Sequence, residues 1–125
     1  MLTGSVSPNR EAILTLTLRD SMNRDHRFDA VIDTGYTGSL SLPPSEIALL
    51  GLTWLKYGSG TLADGTQISY DVFEGVILWD GHPRAIQIAS LAGGPLIGMS
   101  LMYGYELNLP VLDGATFTLR PISNP

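Results

Sequence analysis

The sequence predicts an all-β chain with one or two short helices, closed or nearly closed on itself. Three observations lead there: apolar residues recur with a period of two, strand-length segments are punctuated by Gly and Pro, and only two short segments read as helix. With 125 residues the chain makes one domain, residues 1–125, with room for a modest single core. Apolar residues form 44% of it and charged ones 15%, which places it among globular rather than disordered chains.

The elements follow in order. Between Ala12 and Leu18, Leu14, Leu16 and Leu18 share one face while Thr15 and Thr17 share the other, the pattern of a half-buried strand. The polar stretch Ser21 to Asp25 reads as a turn, and His26 to Asp33 as the returning strand of a hairpin. On that strand Asp29 is expected to face solvent, opposite Phe28 and Ala30. Ser39 to Leu42 alternates again until Pro43-Pro44 stops it. Ser45 to Leu50 is a helix candidate, with proline tolerated at its first turn and Gly51 placed to end it.

Two longer strands come next, Leu52 to Leu62 and Thr66 to Trp79, joined by a tight turn of the Asp-Gly type at Ala63-Asp64-Gly65-Thr66. Asp80-Gly81-His82-Pro83 marks a further turn and Arg84 to Ala89 a further strand. Leu91 to Pro95 is a loop of small residues, and Met99 to Tyr103 a short helical turn. Tyr105 to Leu109 and Ala115 to Leu119 read as a last hairpin around Leu112-Asp113-Gly114. Trp54, Tyr57, Tyr70 and Trp79 fall on strand-like segments, where aromatic rings serve as core or groove lining.

Composition excludes several functions. The formal charge is −5 and no basic cluster exists, so nucleic acid is not an expected partner. The absence of cysteine excludes disulfides, thiol catalysis and thiolate metal sites, and fits a reducing cytoplasm. No apolar stretch is long enough to cross a bilayer, and Met1 to Ser5 lacks the basic head and apolar middle of a signal peptide. A cytoplasmic protein without a membrane partner is the expectation. His26 and His82 lie far apart without partners at ligand spacing, so neither a metal nor a cofactor is expected. Ser39 and Ser45 have no nearby His in sequence, which gives a serine triad little support.

The segment that carries chemistry is Asp33-Thr34-Gly35, directly after the apolar run Phe28 to Ile32. A carboxylate held where an apolar strand gives way to a turn is partly desolvated, and a following glycine lets the backbone approach whatever that carboxylate serves. Taken alone, the tripeptide equally fits a turn-capping Asp. Its context is more specific. A small hydroxyl residue and aliphatic strand follow (Ser39, Leu40, Leu42), then a long hairpin with a compact tip at Asp64-Gly65. The late run Pro95-Leu96-Ile97-Gly98 comes next, with a short helix and a strand after it.

In this ordered set, across about residues 10 to 120, the chain resembles retropepsin-like aspartic proteases of the single-domain homodimeric group. It is most similar to bacterial members reading Asp-Thr-Gly, then Leu-Gly-Leu, then Ala-Asn/Asp-Gly, then Leu-Leu/Ile-Gly-Met-Ser. The matching pieces are Asp33 to Gly35, Leu50 to Leu52, Ala63 to Gly65 and Leu96 to Ser100. The resemblance implies a closed acid-protease barrel and an endopeptidase acting on peptide or protein substrates. It implies Asp33 as catalytic acid, Thr34 bonding across a two-fold axis, and Gly35 presenting backbone groups to substrate. Tyr36 would border the substrate groove, Ala63, Asp64, Gly65 and Thr66 would form a flap tip over the bound peptide, and Leu96-Ile97-Gly98 would support the active-site strand.

The tripeptide occurs once, so the second acid must come from a second copy of the chain, a homodimer. Two carboxylates so close share one proton; the ionised one activates water while the protonated one polarises the scissile carbonyl. Three departures from the family pattern stand out. Tyr36 replaces the usual Ala or Ser, a ring able to narrow or reshape the groove. Met99 replaces the Arg of viral members, removing that dimer contact. The chain also continues past Leu109 to Pro121, which changes the terminal-strand interface. Two rival readings remain: a non-catalytic peptide-binding or dimeric scaffold module of the same fold, and a β-barrel interaction domain with an accidental tripeptide.

Overall fold

A computed structural model describes residues 1–123. Its elements are β1 (Leu2–Val6), β2 (Ala12–Arg19), β3 (Asp25–Ile32), β4 (Leu40–Leu42), α1 (Pro44–Leu50), β5 (Thr53–Thr61), β6 (Gln67–Trp79), β7 (His82–Ser90), β8 (Leu96–Ile97), α2 (Met99–Met102), β9 (Tyr105–Asn108) and β10 (Thr116–Pro121). The chain is mostly β with two short helices, as its alternation requires.

All ten strands join one sheet in the order β5-β6-β7-β4-β8-β3-β2-β1-β10-β9, and a further β2–β6 pairing closes six of them into a ring. The ring strands thus have neighbours on both sides, while β5 and β9, outside the ring, each pair with a single strand among the described residues. Two pairings are parallel, β3 with β8 and β4 with β7; the rest are antiparallel. The interior is filled by Leu14, Leu16 and Leu18 from β2, Leu40 and Leu42 from β4, Ile77 from β6, Ile88 from β7, Ile97 from β8, and Phe117 and Leu119 from β10. Each fully buried aliphatic side chain of this kind contributes on the order of 1.5–3 kcal/mol relative to exposure.

The strand β4 differs from its sequence pattern. Ser41 is buried along with Leu40 and Leu42, so β4 is covered on both faces as well as paired along both edges by β7 and β8. The helix α1 ends as its sequence dictates: Gly51 takes the left-handed conformation at φ 61°.

Two further elements differ from the sequence pattern. The strand β1 was not foreseen; Leu2–Val6 alternates weakly around Gly4, yet it pairs with both β10 and β2. Gly4 is required there, since a Cβ would collide with the Phe117 ring and Ile13 O. His82 and Pro83 belong to β7 rather than to a turn. Asp80 (φ 52°) and Gly81 (φ 82°) alone close the hairpin, with Trp79 opposite His82, in the conformation that suits two-residue loops. Of the aromatics, Trp79 is buried, but Trp54 and Tyr57 are exposed. They pack edge-to-face on β5 at 5.0 Å, with Trp54 Nε1 donating to Asp71 Oδ1 at 3.0 Å.

One buried carboxylate organises the β2–β3 turn. Asp20 Oδ1 accepts N–H bonds from Met22 (2.8 Å) and Arg24 (2.9 Å), while Oδ2 meets Arg24 Nε (3.0 Å) and His26 Nε2 (2.8 Å). Asn23 takes φ 60° within the same turn. The His26 hydrogen bond, followed by the Arg24 N–H, holds the Asp20 carboxyl well below the usual carboxylate range, against the opposing effect of desolvation.

A folded-state pKa depressed in this way means that the unfolded chain binds the proton more readily. The stabilisation is therefore complete above the ordinary carboxylate value of 3.8 and is lost as pH falls from there towards the depressed value. Urea melts of Asp20→Asn should show lower stability at neutral pH and a shallower decline below about pH 4 than the wild type. Ile97→Ala, which empties a fully buried position at the centre of the sheet, should cost about 2–5 kcal/mol in the same experiment with little change in the urea slope.

Candidate active site

Asp33 stands one residue beyond β3, at the mouth of the loop that leads to β4. Its position follows from β8. Val31 N–H donates to Pro95 O and Asp33 N–H to Ile97 O, both at 2.9 Å, so the Asp33 amide is the last rung of the parallel β3–β8 ladder. The far side of β8 pairs with β4, Leu40 opposite Ile97 and Ser41 opposite Leu96. A two-residue strand thus ties together both ends of the Asp33 loop.

Within the loop, Asp33 Oδ1 accepts the Gly35 N–H (2.9 Å) and Asp33 O accepts the Tyr36 N–H (3.1 Å). The carboxylate is half-buried, whereas Thr34 and Gly35 are exposed. Among the described residues the Thr34 hydroxyl has no hydrogen-bond partner. The loop is held from beneath by the start of α2. Gly98 N–H donates to Ser39 O (2.9 Å), Met99 N–H to Tyr36 O (2.8 Å) and Ser100 N–H to Gly38 O (3.2 Å), and Ser100 Oγ donates to Thr37 O.

This approach needs glycine at position 98. A Cβ there would collide with Gly38 O and would also crowd the Tyr36 ring. The backbone at Gly98 (φ −103°) is open to any residue, so contact rather than conformation imposes the choice. Tyr36 itself lies across Gly38, whose missing Cβ makes room for the phenol. Burial pushes the Tyr36 phenol above its usual range, with Tyr70 adding to the effect. Tyr36, Ser39, Tyr70, Arg84, Gln87 and Ser100 line a pocket of about 290 Å³ beside the loop.

The hairpin formed by β5 and β6 carries Ala63, Asp64, Gly65 and Thr66 at its tip, all exposed. Leu62 N–H donates to Thr66 O (2.7 Å) and Gly65 N–H to Leu62 O (2.9 Å), with Gly65 at φ 87°. These bonds define a three-residue loop ending in a left-handed glycine. Asp64 Oδ1 accepts the Thr66 N–H (2.9 Å), and hydrogen bonds from Thr66, its side chain first, hold the Asp64 carboxyl below the usual range.

The fold therefore brings Asp33, Thr34, Gly35 and Tyr36 together in one braced loop. Ala63 to Thr66 form a separate tip, and among the described residues no hydrogen bond joins the two. What connects them is Tyr70, which sits on the tip's own strand β6 and shares the pocket with Tyr36. Arg84 has no assigned role in the sequence pattern, although a lone cation directly before the apolar pair Ala85-Ile86 is a visible signal. Its Nη1 donates to Leu101 O (3.0 Å) and Nη2 to Ser100 O (3.5 Å) at the end of α2.

Among the described residues no group of three or more His, Cys, Asp or Glu is placed to hold a metal ion, and no helix is long and apolar enough to cross a membrane. No protein-family profile matches the chain, and neither does any curated protein. The likeness to aspartic proteases therefore rests on the short motifs of the sequence alone.

Gly98→Ala should force the α2 backbone away from Gly38 and lower stability by about 1–3 kcal/mol in urea denaturation. Gly94, whose missing Cβ faces open space, is the matched control and should tolerate Ala with a change within about 0.5 kcal/mol.

Proposed function

We propose that this protein is an aspartic endopeptidase acting as a homodimer, with the two Asp33 carboxylates activating the water that cleaves the peptide bond. The observation that carries the reading is the bracing of Asp33. Its amide closes the β3–β8 ladder, its carboxylate accepts the Gly35 N–H, and the start of α2 fixes the rest of its loop. A group that must meet a symmetry mate within a few ångströms gains from such a mount, because small displacements at a reacting centre cost large factors in rate. The retropepsin-like assignment draws further support from the ring of strands and from the long hairpin whose tip carries Ala63 to Thr66.

Exposure of the loop agrees with the dimer. Thr34 and Gly35 face solvent in the single chain and are free for a second copy to cover. With one proton shared between the paired acids, the ionised Asp33 accepts a proton from water as the oxygen attacks the carbonyl carbon. The protonated partner hydrogen-bonds the carbonyl oxygen and later returns a proton to the departing amine. No covalent intermediate forms. Closure of the two flap tips over the peptide would exclude bulk water and strengthen these bonds. The terminal strands do not offer the viral style of interface in free form, since β1 is already paired with β10 and β2.

A second reading is favoured by Tyr36, whose ring fills space over Gly38 beside the loop. In that reading the same groove binds peptide without cleaving it. Cleavage of a mixed peptide library at mildly acidic pH separates the two. Wild-type protein should generate new termini, and Asp33→Asn should reduce the rate by at least about 10²-fold while leaving the dimer mass unchanged. Equal rates from both proteins would refute the endopeptidase, and peptide binding without any product would establish the module.

A further inference from the structure

The molecule carries four cations without a carboxylate partner within ion-pair distance among the described residues: Arg10, Arg27, Lys56 and Arg84. Three of them are exposed, where water solvates the charge; Arg84 alone is half-buried. Its bonds go to two backbone carbonyls, neutral acceptors that orient the guanidinium without cancelling its charge. A charge taken partly out of water without a counter-ion is costly, so a structure that keeps one in a pocket has a use for it.

Arg84 lines the same pocket as Tyr36 and Tyr70. The two phenols are O–H donors, Ser39 and Ser100 bring hydroxyls, and Gln87 brings an amide. Among the described residues no carboxylate lines this pocket. Glu74 lies in an adjoining hollow of about 360 Å³ that shares Ala85, Ile86 and Gln87 with it. A lining that combines hydrogen-bond donors with one positive charge describes a receptor for an anionic acceptor. The pocket lies directly beside the Asp33 loop, since Tyr36 belongs to both.

We propose that this pocket is a specificity subsite that takes an acidic side chain, a Glu or Asp of the bound peptide, with Arg84 as the charged anchor and the Tyr36 and Tyr70 phenols as accessory donors. The proposal rests on the peptidase reading for the path of the peptide but not for the chemistry of the pocket. A guanidinium already steadied by two carbonyls loses little conformational freedom on binding a carboxylate, which favours Arg over Lys in this place. Selection arises from both directions. A carboxylate gains a charge-assisted bond, and an apolar side chain would displace water from the half-buried guanidinium without offering its charge a counter-ion.

The test reads binding, so that it stays separate from cleavage. Immobilised Asp33→Asn protein is offered dodecapeptide pools in which one position at a time is fixed as Glu, Gln or Leu, and retention is measured by mass spectrometry. At one position the Glu pool should be retained about tenfold or more over the Gln and Leu pools. In the Arg84→Gln, Asp33→Asn double variant that preference should fall to near unity, and Arg84→Lys should keep part of it. Tyr70→Phe, which leaves the α2 contacts untouched, should weaken it severalfold and so covers the case in which Arg84→Gln fails to fold.

Equal retention of Glu and Gln pools at every position would overturn the proposal. A dimer that dissociates in Arg84→Gln, with no Glu preference in the parent, would likewise overturn it by assigning the guanidinium to the partner copy. A Glu preference in a protein whose wild type cleaves nothing would leave the subsite standing and remove the peptidase.

Discussion

The backbone bond from Asp33 N–H to Ile97 O closes a parallel ladder only two residues long, and the rest of the molecule is arranged around it. The strand β8 is buried between β3 and β4, so its backbone groups must be paired on both sides. That demand draws together the end of β3, the start of β4 and the start of α2. Gly98 is the point of closest approach, where one backbone passes over another without room for a side chain. Ring closure through β2 and β6 then holds the whole set in register.

The carboxylates show why local geometry does not by itself mark a catalytic group. Asp20, Asp33 and Asp64 each accept an N–H bond from the residue two positions on: Met22, Gly35 and Thr66. In all three the acid folds back on its own turn, the ordinary behaviour of Asp at such sites. Surroundings separate them. Asp20 is buried and saturated by Arg24 and His26, which makes it a structural hub. Asp64 is exposed on a hairpin tip. Of the three, Asp33 combines a half-buried carboxylate with a loop tied at both ends to the sheet, and it keeps acceptor capacity that no side chain among the described residues takes up.

The Asp-Gly pairs make a parallel point about turns. Asp80-Gly81 forms a two-residue loop with both residues at positive φ, while Asp64-Gly65 forms part of a three-residue loop in which only the glycine does. The dipeptide is the same, but the registers that the flanking strands adopt, Trp79 with His82 and Thr61 with Gln67, leave different numbers of residues to make the turn. Arg84 shows the same dependence on context. It is one basic residue among seven, and its meaning comes from the α2 carbonyls and phenols that the fold sets around it.

Alternation along Ala12 to Leu18, the Pro43-Pro44 and Gly51 boundaries of α1, and the long β5–β6 hairpin were legible in the sequence, because each depends on side-chain periodicity or on a single residue's backbone preference. The loop carrying Asp33 was legible for the same reason, as an apolar strand running into Asp-Thr-Gly. Four features were not: the pairing of β1 on both edges, the full burial of Ser41, the exposure of Trp54 and Tyr57, and the pocket that joins Tyr36 to Tyr70 and Arg84. Each depends on which strands become neighbours. Adjacency between segments tens of residues apart is set by how the sheet closes on itself, and no local pattern in the chain encodes it.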